Sequence, residues 1–256
     1  MAPPGTPVLP IEAPTMSLEE QLDQLATACR VLEMEGHGDM TLGHLSLRDP
    51  QGRGFWLKRN ARGLGEILSA ADFVLVGHDG AKLEGEGGRH SEWPIHSEIL
   101  KARPDVNVVA HTHPFHASIL SSFGTALAPF TLDADYFDEL PCHRDEAALL
   151  KTEEEGAALA RTLGPHFAVL MANHGVTFCG TSIAHAVCVG VFLERAARIH
   201  VLGSQMRTEA SFPVPPVRQR RREQIMTPVH VEHSWNYFVR KLAWQEKARG
   251  DAALFA

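Results

Sequence analysis

The sequence predicts one α/β domain with a mixed sheet covered by helices. Three observations carry this reading. Short alternating or β-branched runs are joined by turn residues, as in Leu45-Ser46-Leu47-Arg48, Asp49-Pro50-Gln51-Gly52 and the returning run from Gly54 to Lys58. Longer stretches with apolar residues at helical spacing lie between such runs. No repeat and no linker divides the 256 residues, a length that buries a substantial core in one domain.

The elements follow in order. Ser17 with Glu20 reads as a capping box, and Leu18, Leu22, Leu25, Ala26, Cys29 and Leu32 stripe the helix behind it, which Gly36 and Gly38 end. Residues 45–48 and 54–58 form a hairpin. Phe73-Val74-Leu75-Val76 is a third strand, closed by His78-Asp79-Gly80. Gly85-Glu86-Gly87-Gly88 is acidic and opens no helix, so it reads as a turn and not a phosphate loop. Pro94 starts a helix that runs to Ala102 and breaks at Arg103-Pro104-Asp105. Val108-Val109-Ala110 is a strand leading into His111. Residues 116–123 read as helix, Phe130-Thr131-Leu132 as a short strand, and 152–163 as a helix stopped by Gly164. Ala168 to Asn173 reads as a strand that Val176-Thr177-Phe178 continues past Gly175. Ser182 caps a long helix to about Leu202. From about residue 216, one or two helices carry Trp235, Tyr237, Phe238, Leu242 and Trp244. Residues 1–15 are proline-rich and lack a basic region followed by an apolar stretch, so they read as a disordered tail and not a signal peptide.

Composition excludes several classes. A formal net charge of -7 argues against a nucleic-acid binder, which needs a basic surface. The cluster Arg218, Arg220, Arg221 and Arg222 reads as a solvated face or helix start. No apolar run approaches the ~20 residues of a membrane span. None of the four cysteines forms a Cys-x-x-Cys pair, and Cys29, Cys179 and Cys188 lie in apolar surroundings, as in a reduced cytoplasmic protein.

The histidines point to chemistry. Eight of the 15 lie between His37 and His116. His111 and His113 stand at i, i+2 at a strand end and so share a face. Two imidazoles on one face are a partial divalent-metal site, and His174 before Gly175 supplies a third from another strand end. Three neutral ligands leave the cation its charge and an open position, and zinc, manganese, iron or cobalt suits them. The pair by itself also reads as a polar strand end. Glu92 precedes the helix before His111. It reads either as a helix-start carboxylate or, near a metal and Trp93, as a proton carrier with a raised pKa.

Ser91-Glu92-Trp93, Arg103-Pro104-Asp105, His111-Thr112-His113 and Asn173-His174-Gly175 occur in the order and spacing of the class II aldolase/adducin family, which the chain resembles from about Leu18 to Leu202. The resemblance implies a three-layer αβα sandwich around a largely antiparallel sheet, and a homotetramer with active sites between subunits. It also implies that His111, His113 and His174 are metal ligands and that Glu92 is the catalytic acid/base. Phosphate-using members carry Gly-Asn-x-Ser in the first hairpin, a Thr-Pro-x-Gly-type loop after the second strand and Ser-Ser before the glutamate. Here those stretches read Gly43-His44-Leu45-Ser46, Lys58-Arg59-Asn60-Ala61-Arg62-Gly63 and His90-Ser91. His and Arg in place of small donors suit a carboxylate. His44, Lys58, Arg59, His90 and Ser91 are therefore candidates for an anionic-substrate pocket, with solvated loop charges the other reading of Lys58, Arg59 and Arg62.

The expected function is a metal-dependent carbon–carbon lyase on a small hydroxylated carboxylic acid. Decarboxylation of a hydroxyaromatic dicarboxylate through a metal-stabilised enolate is preferred. Retro-aldol cleavage or epimerisation of a sugar phosphate comes next, then an iron-dependent oxygenase and an adducin-like structural module. His116 reads as a helix-start or supporting residue. His96, one helical turn after Glu92, orients that carboxylate or simply packs. Tyr136 and Phe137 line the pocket or belong to the core.

Overall fold

The computed structural model describes residues 16–124, 126–144 and 149–253. The expected tail at residues 1–15 lies outside the described residues. Eight strands form one sheet in the order β4-β3-β2-β1-β5-β8-β7-β6. They are β1 (His44–Arg48), β2 (Phe55–Lys58), β3 (Phe73–Val76), β4 (Lys82–Glu84), β5 (Val108–Thr112), β6 (Cys142–His143), β7 (Ala168–Met171) and β8 (Gly175–Gly180). Every pairing is antiparallel except β6 with β7. The helices are α1 (Leu18–Leu32), α2 (Trp93–Ala102), α3 (Phe115–Phe123), α4 (Leu132–Asp135), α5 (Glu153–Leu163), α6 (Ile183–Gly203), α7 (Pro215–Ile225) and α8 (Pro228–Ala253).

Strand alternation splits the core into two. Leu45, Leu47, Val108, Ala110, Val176 and Phe178 face α1, α3, α6 and α8. Phe55, Leu57, Val74, Val76 and Val109 face α2 and α5, packing on Ile95, Ile99 and Leu159. The result is the αβα sandwich that the motifs implied. In α6, Gly190 lets the helix approach the sheet: a Cβ there would lie 2.6 Å from the Phe178 ring. Its carbonyl accepts from buried His37, whose other ring nitrogen meets Thr112 Oγ1 at 2.9 Å.

Local signals behave as their chemistry requires. The Ser17 hydroxyl accepts from the Glu20 amide and the Glu20 carboxylate accepts from the Ser17 amide at 2.7 Å, closing the capping box of α1. Thr152 with Glu155 does the same for α5, and Ser182 accepts from the His185 amide at the start of α6. A π-type turn at Glu33–His37, with Gly36 at φ 91°, ends the first helical segment. Cys29, Cys142, Cys179 and Cys188 are free thiols.

Two expectations are corrected. Phe130-Thr131-Leu132 is not a strand: Thr131 is the extended residue before the one-turn helix α4, whose Ala134 amide bonds the Thr131 carbonyl. Asp135 of α4 is pinned by Arg218 and Arg221 of α7. The second correction concerns residues 168–180, which are two strands and not one. Asn173 takes φ 58°, the left-handed region open to Asn, and reverses the chain so that Met171 pairs with Gly175. The short edge strands β4 and β6 carry too few residues to show a pattern. Among the described residues, no helix is long and apolar enough to cross a membrane.

Burial pushes His37 and His185 down to about 4 from an ordinary 6.5. Below about pH 6.5 the unfolded chain therefore binds protons that the native chain refuses. Stability is full above that pH and is lost as pH falls toward 4. Urea midpoints measured across this window should decline, and His185→Phe should flatten the decline by on the order of 2 kcal/mol.

Candidate metal centre

The end of β5 and the β7–β8 hairpin bring three imidazoles together. His111 is fully buried and pairs across the sheet with His44 of β1. Its Nδ1 lies 3.0 Å from the Val176 carbonyl oxygen. A carbonyl only accepts, so Nδ1 carries the proton and Nε2 keeps its lone pair. His113 follows one residue beyond the strand, with Nδ1 3.0 Å from the Asp39 carboxylate, which accepts its proton and leaves Nε2 as the donor atom turned to the cluster. The two Nε2 atoms stand 3.0 Å apart. A cation with metal–nitrogen bonds of about 2.0–2.1 Å accommodates two nitrogens at that separation. His174 joins them from the hairpin turn, and one donor atom from each of the three lies within 4.8 Å of the others.

Gly175 makes this convergence possible. A Cβ there would lie 2.5 Å from Cδ2 of His113 and 2.6 Å from the Thr112 carbonyl oxygen. Asn173 supplies the left-handed turn, His174 one imidazole of the cluster and Gly175 the space for the His113 ring.

Glu92, immediately before α2, faces the histidines. Its Oε2 is 3.8 Å from Nε2 of His111 and from Nε2 of His44, and its Oε1 is 4.0 Å from Nε2 of His174. The Leu150 amide donates to Oε1 at 3.0 Å and holds the carboxyl in place. Burial raises the Glu92 pKa, against the bond from Leu150 and the charge of Lys151. Burial, with His113 and His174 beside it, holds His111 well below the usual imidazole range, and burial with His113 takes His174 to about 4. Three converging imidazoles beside a buried carboxyl form a donor set that could hold a divalent metal.

Residues 23–201 match the model of the class II aldolase and adducin N-terminal domain. The chain belongs to the class II aldolase and adducin family. The chain is 32% identical over 193 residues to a 3,4-dihydroxyphthalate decarboxylase of Arthrobacter keyseri, covering 68% of this chain and 75% of that one. An aldolase II superfamily protein from Pseudomonas syringae superposes with a TM-score of 0.80 at 27% identity, covering 90% of this chain and 96% of that one. L-fuculose 1-phosphate aldolase from Glaciozyma antarctica gives 0.78 at 23% identity, covering 93% and 96%, and shares the fold.

Within this class II aldolase frame, the candidate substrate residues separate. His90 and Ser91 line a cleft of about 390 Å³ with Thr41, Leu42, Asn60, Ala61 and Arg89. The His90 ring packs 4.5 Å from that of His44, which joins the cleft to the histidine cluster. Lys58 does not line the cleft; its ammonium is buried and donates to the carbonyls of Arg59 and Arg62, and burial lowers its pKa to about 8. Arg59 instead meets Asp72 at 3.3 Å. His96 holds His44 and Ser46, not Glu92. His116 bonds Glu194, whose carboxylate also accepts the His116 and Ala117 amides at the start of α3. Tyr136 stacks on Phe192 at 4.2 Å and belongs with Phe137 to the core. Arg89, Asn60 and Asp39 were missed in the sequence, because single polar loop residues carry no periodicity.

Zinc titrations of three variants check this arrangement. His113→Ala should abolish stoichiometric uptake and Asp39→Ala should weaken it by about tenfold to a hundredfold, both with an intact circular-dichroism spectrum. Gly175→Ala should weaken uptake as well, because its methyl displaces the His113 ring. Unchanged affinity in all three would remove these residues from the site.

Proposed function

We propose that this protein is a metal-dependent carbon–carbon lyase that decarboxylates a hydroxyaromatic carboxylate. The observation that carries the reading is the convergence of the His111 and His113 Nε2 atoms, 3.0 Å apart beside the buried Glu92 carboxyl. His111, His113 and His174 would hold the cation, of which zinc, manganese, iron and cobalt all suit the donors. A divalent cation bound there supplies Lewis acidity that draws electron density from substrate oxygens as the carbon–carbon bond breaks.

The chain's own groups do the rest. Arg89 lines the cleft with its Nε donating to the Gly80 carbonyl, and the planar guanidinium held there would face a substrate carboxylate. When the bond to the departing carboxylate breaks, its electron pair stays on the ring carbon and carbon dioxide leaves. Glu92, whose buried carboxyl has its pKa raised, would deliver a proton to that carbon. Solvent then reprotonates Glu92. Likeness to the 3,4-dihydroxyphthalate decarboxylase supports this substrate class. So does the first hairpin, which presents His44 where phosphate-using relatives carry a small amide donor.

The reading includes a cytoplasmic homotetramer with active sites between subunits. Exposed Met40, Leu42 and Phe115, close in the chain to Asp39 and His113, support an apolar contact around the site.

Metal-loaded protein incubated with 3,4-dihydroxyphthalate should release carbon dioxide. Glu92→Gln should retain its metal and lose about a hundredfold or more of that rate. Aldehyde released from a sugar phosphate, with no carbon dioxide from the aromatic acid, would replace this reading with an aldolase.

A further inference from the structure

Lys58 is fully buried, yet it does not line the cleft. It ends β2, pairs with Phe73 of β3 and shares a strand face with Trp56, which belongs to the core on the α1 side. An apolar chain of the same volume fills such a position without the cost of taking a charge out of water. Here one loop meets the charge. The ammonium donates to the Arg59 carbonyl at 3.3 Å and to the Arg62 carbonyl. Between those two carbonyls the chain turns, and Ala61 takes φ 57°, a left-handed conformation that alanine rarely adopts.

The loop held in this way is the middle wall of the cleft. The lining residues come from three segments, 41–42, 60–61 and 89–91. The middle segment touches the chain beside both others. On one side, the Asn60 amide donates to the Gly88 carbonyl at 2.9 Å, next to Arg89. On the other, a Cβ at Gly63 would lie 2.6 Å from the Met40 carbonyl oxygen, next to Thr41. We infer that Lys58 is a positioning residue: it gathers the Arg59 and Arg62 carbonyls, fixes Ala61 in its strained turn and so sets the spacing of the cleft walls for the substrate. The inference takes its substrate from the lyase reading above and everything else from the loop. Lys58 acts through the loop and does not reach the substrate, so its loss falls on binding and not on proton transfer.

The test uses the zinc-loaded full-length chain and Lys58→Met, which keeps an unbranched chain of similar volume and drops the charge. Hydrogen–deuterium exchange read by mass spectrometry should speed by about tenfold or more across residues 59–66, while α5, in the opposite layer, keeps its wild-type rates. Steady-state kinetics with 3,4-dihydroxyphthalate should show KM raised by about tenfold, kcat within about threefold of wild type and zinc content unchanged. Lys58→Arg, which keeps a cation with donors for both carbonyls, should recover part of the loss. Gly63→Ala, which leaves Lys58 in place and pushes the same loop off the Met40 carbonyl, should raise KM likewise. Unchanged exchange in the loop, acceleration that extends to α5, or a loosened loop with wild-type KM overturns the inference. A wild-type chain that releases no carbon dioxide, while its loop still depends on Lys58, would instead overturn the decarboxylase reading and leave the hold of Lys58 on the loop supported.

Discussion

His111 offers Nε2 to the cleft because its other nitrogen is committed to the Val176 carbonyl across the β5–β8 pair. That bond is itself a product of sheet register. His111 sits opposite Thr177 on one side and His44 on the other, so β1, β5 and β8 must align to the residue for the ring to be held and faced. A slip by one position would turn each of these side chains to the opposite helical layer. The two cores make such a slip costly: Leu45, Leu47, Val108 and Ala110 would leave one apolar layer while Val109 left the other. The ordinary hydrophobic alternation of three central strands thus sets the direction of the site's imidazoles.

Groups from both sides of the sheet then meet at one end of it. Asp39 follows the π-type turn after α1 and orients His113, while Glu92 arrives at the start of α2 on the opposite layer and is tied by the Leu150 amide. His37 bonds Thr112, between the two histidines in the chain, and anchors that point to α6 through Gly190. The site is therefore braced by elements from both helical layers, an arrangement suited to the small positional tolerance of catalysis.

Much of this was legible in the residues, for identifiable reasons. Capping boxes at Ser17 and Thr152, the proline opening α2 and the hairpin turn at residues 49–52 are local chemistry, and they form as written. The i, i+2 spacing of His111 and His113 holds because a strand's period is fixed. The misread segments lack such local determinants. Residues 168–180 are apolar on both sides of Asn173, and only the left-handed backbone of that residue distinguishes a hairpin from one long strand. Lys58 and Arg59 looked like anion receptors because charge is visible in a sequence, whereas the carbonyls and the carboxylate that satisfy them are contributed by folding. Arg89 and Asp39 acquire meaning only from their neighbours in space.

The 3.0 Å approach of the two imidazole nitrogens also bears on the energetics of folding. In the unfolded chain these rings separate, so a cation held between them would favour the native state alone. For the proposed metal site, supply and folding would be linked by mass action: free cation at a hundredfold its dissociation constant would add about 2.7 kcal/mol to native stability. A cell short of the metal would hold a larger unfolded fraction of this chain, and proteolysis of that fraction would match the amount of protein to the cation available.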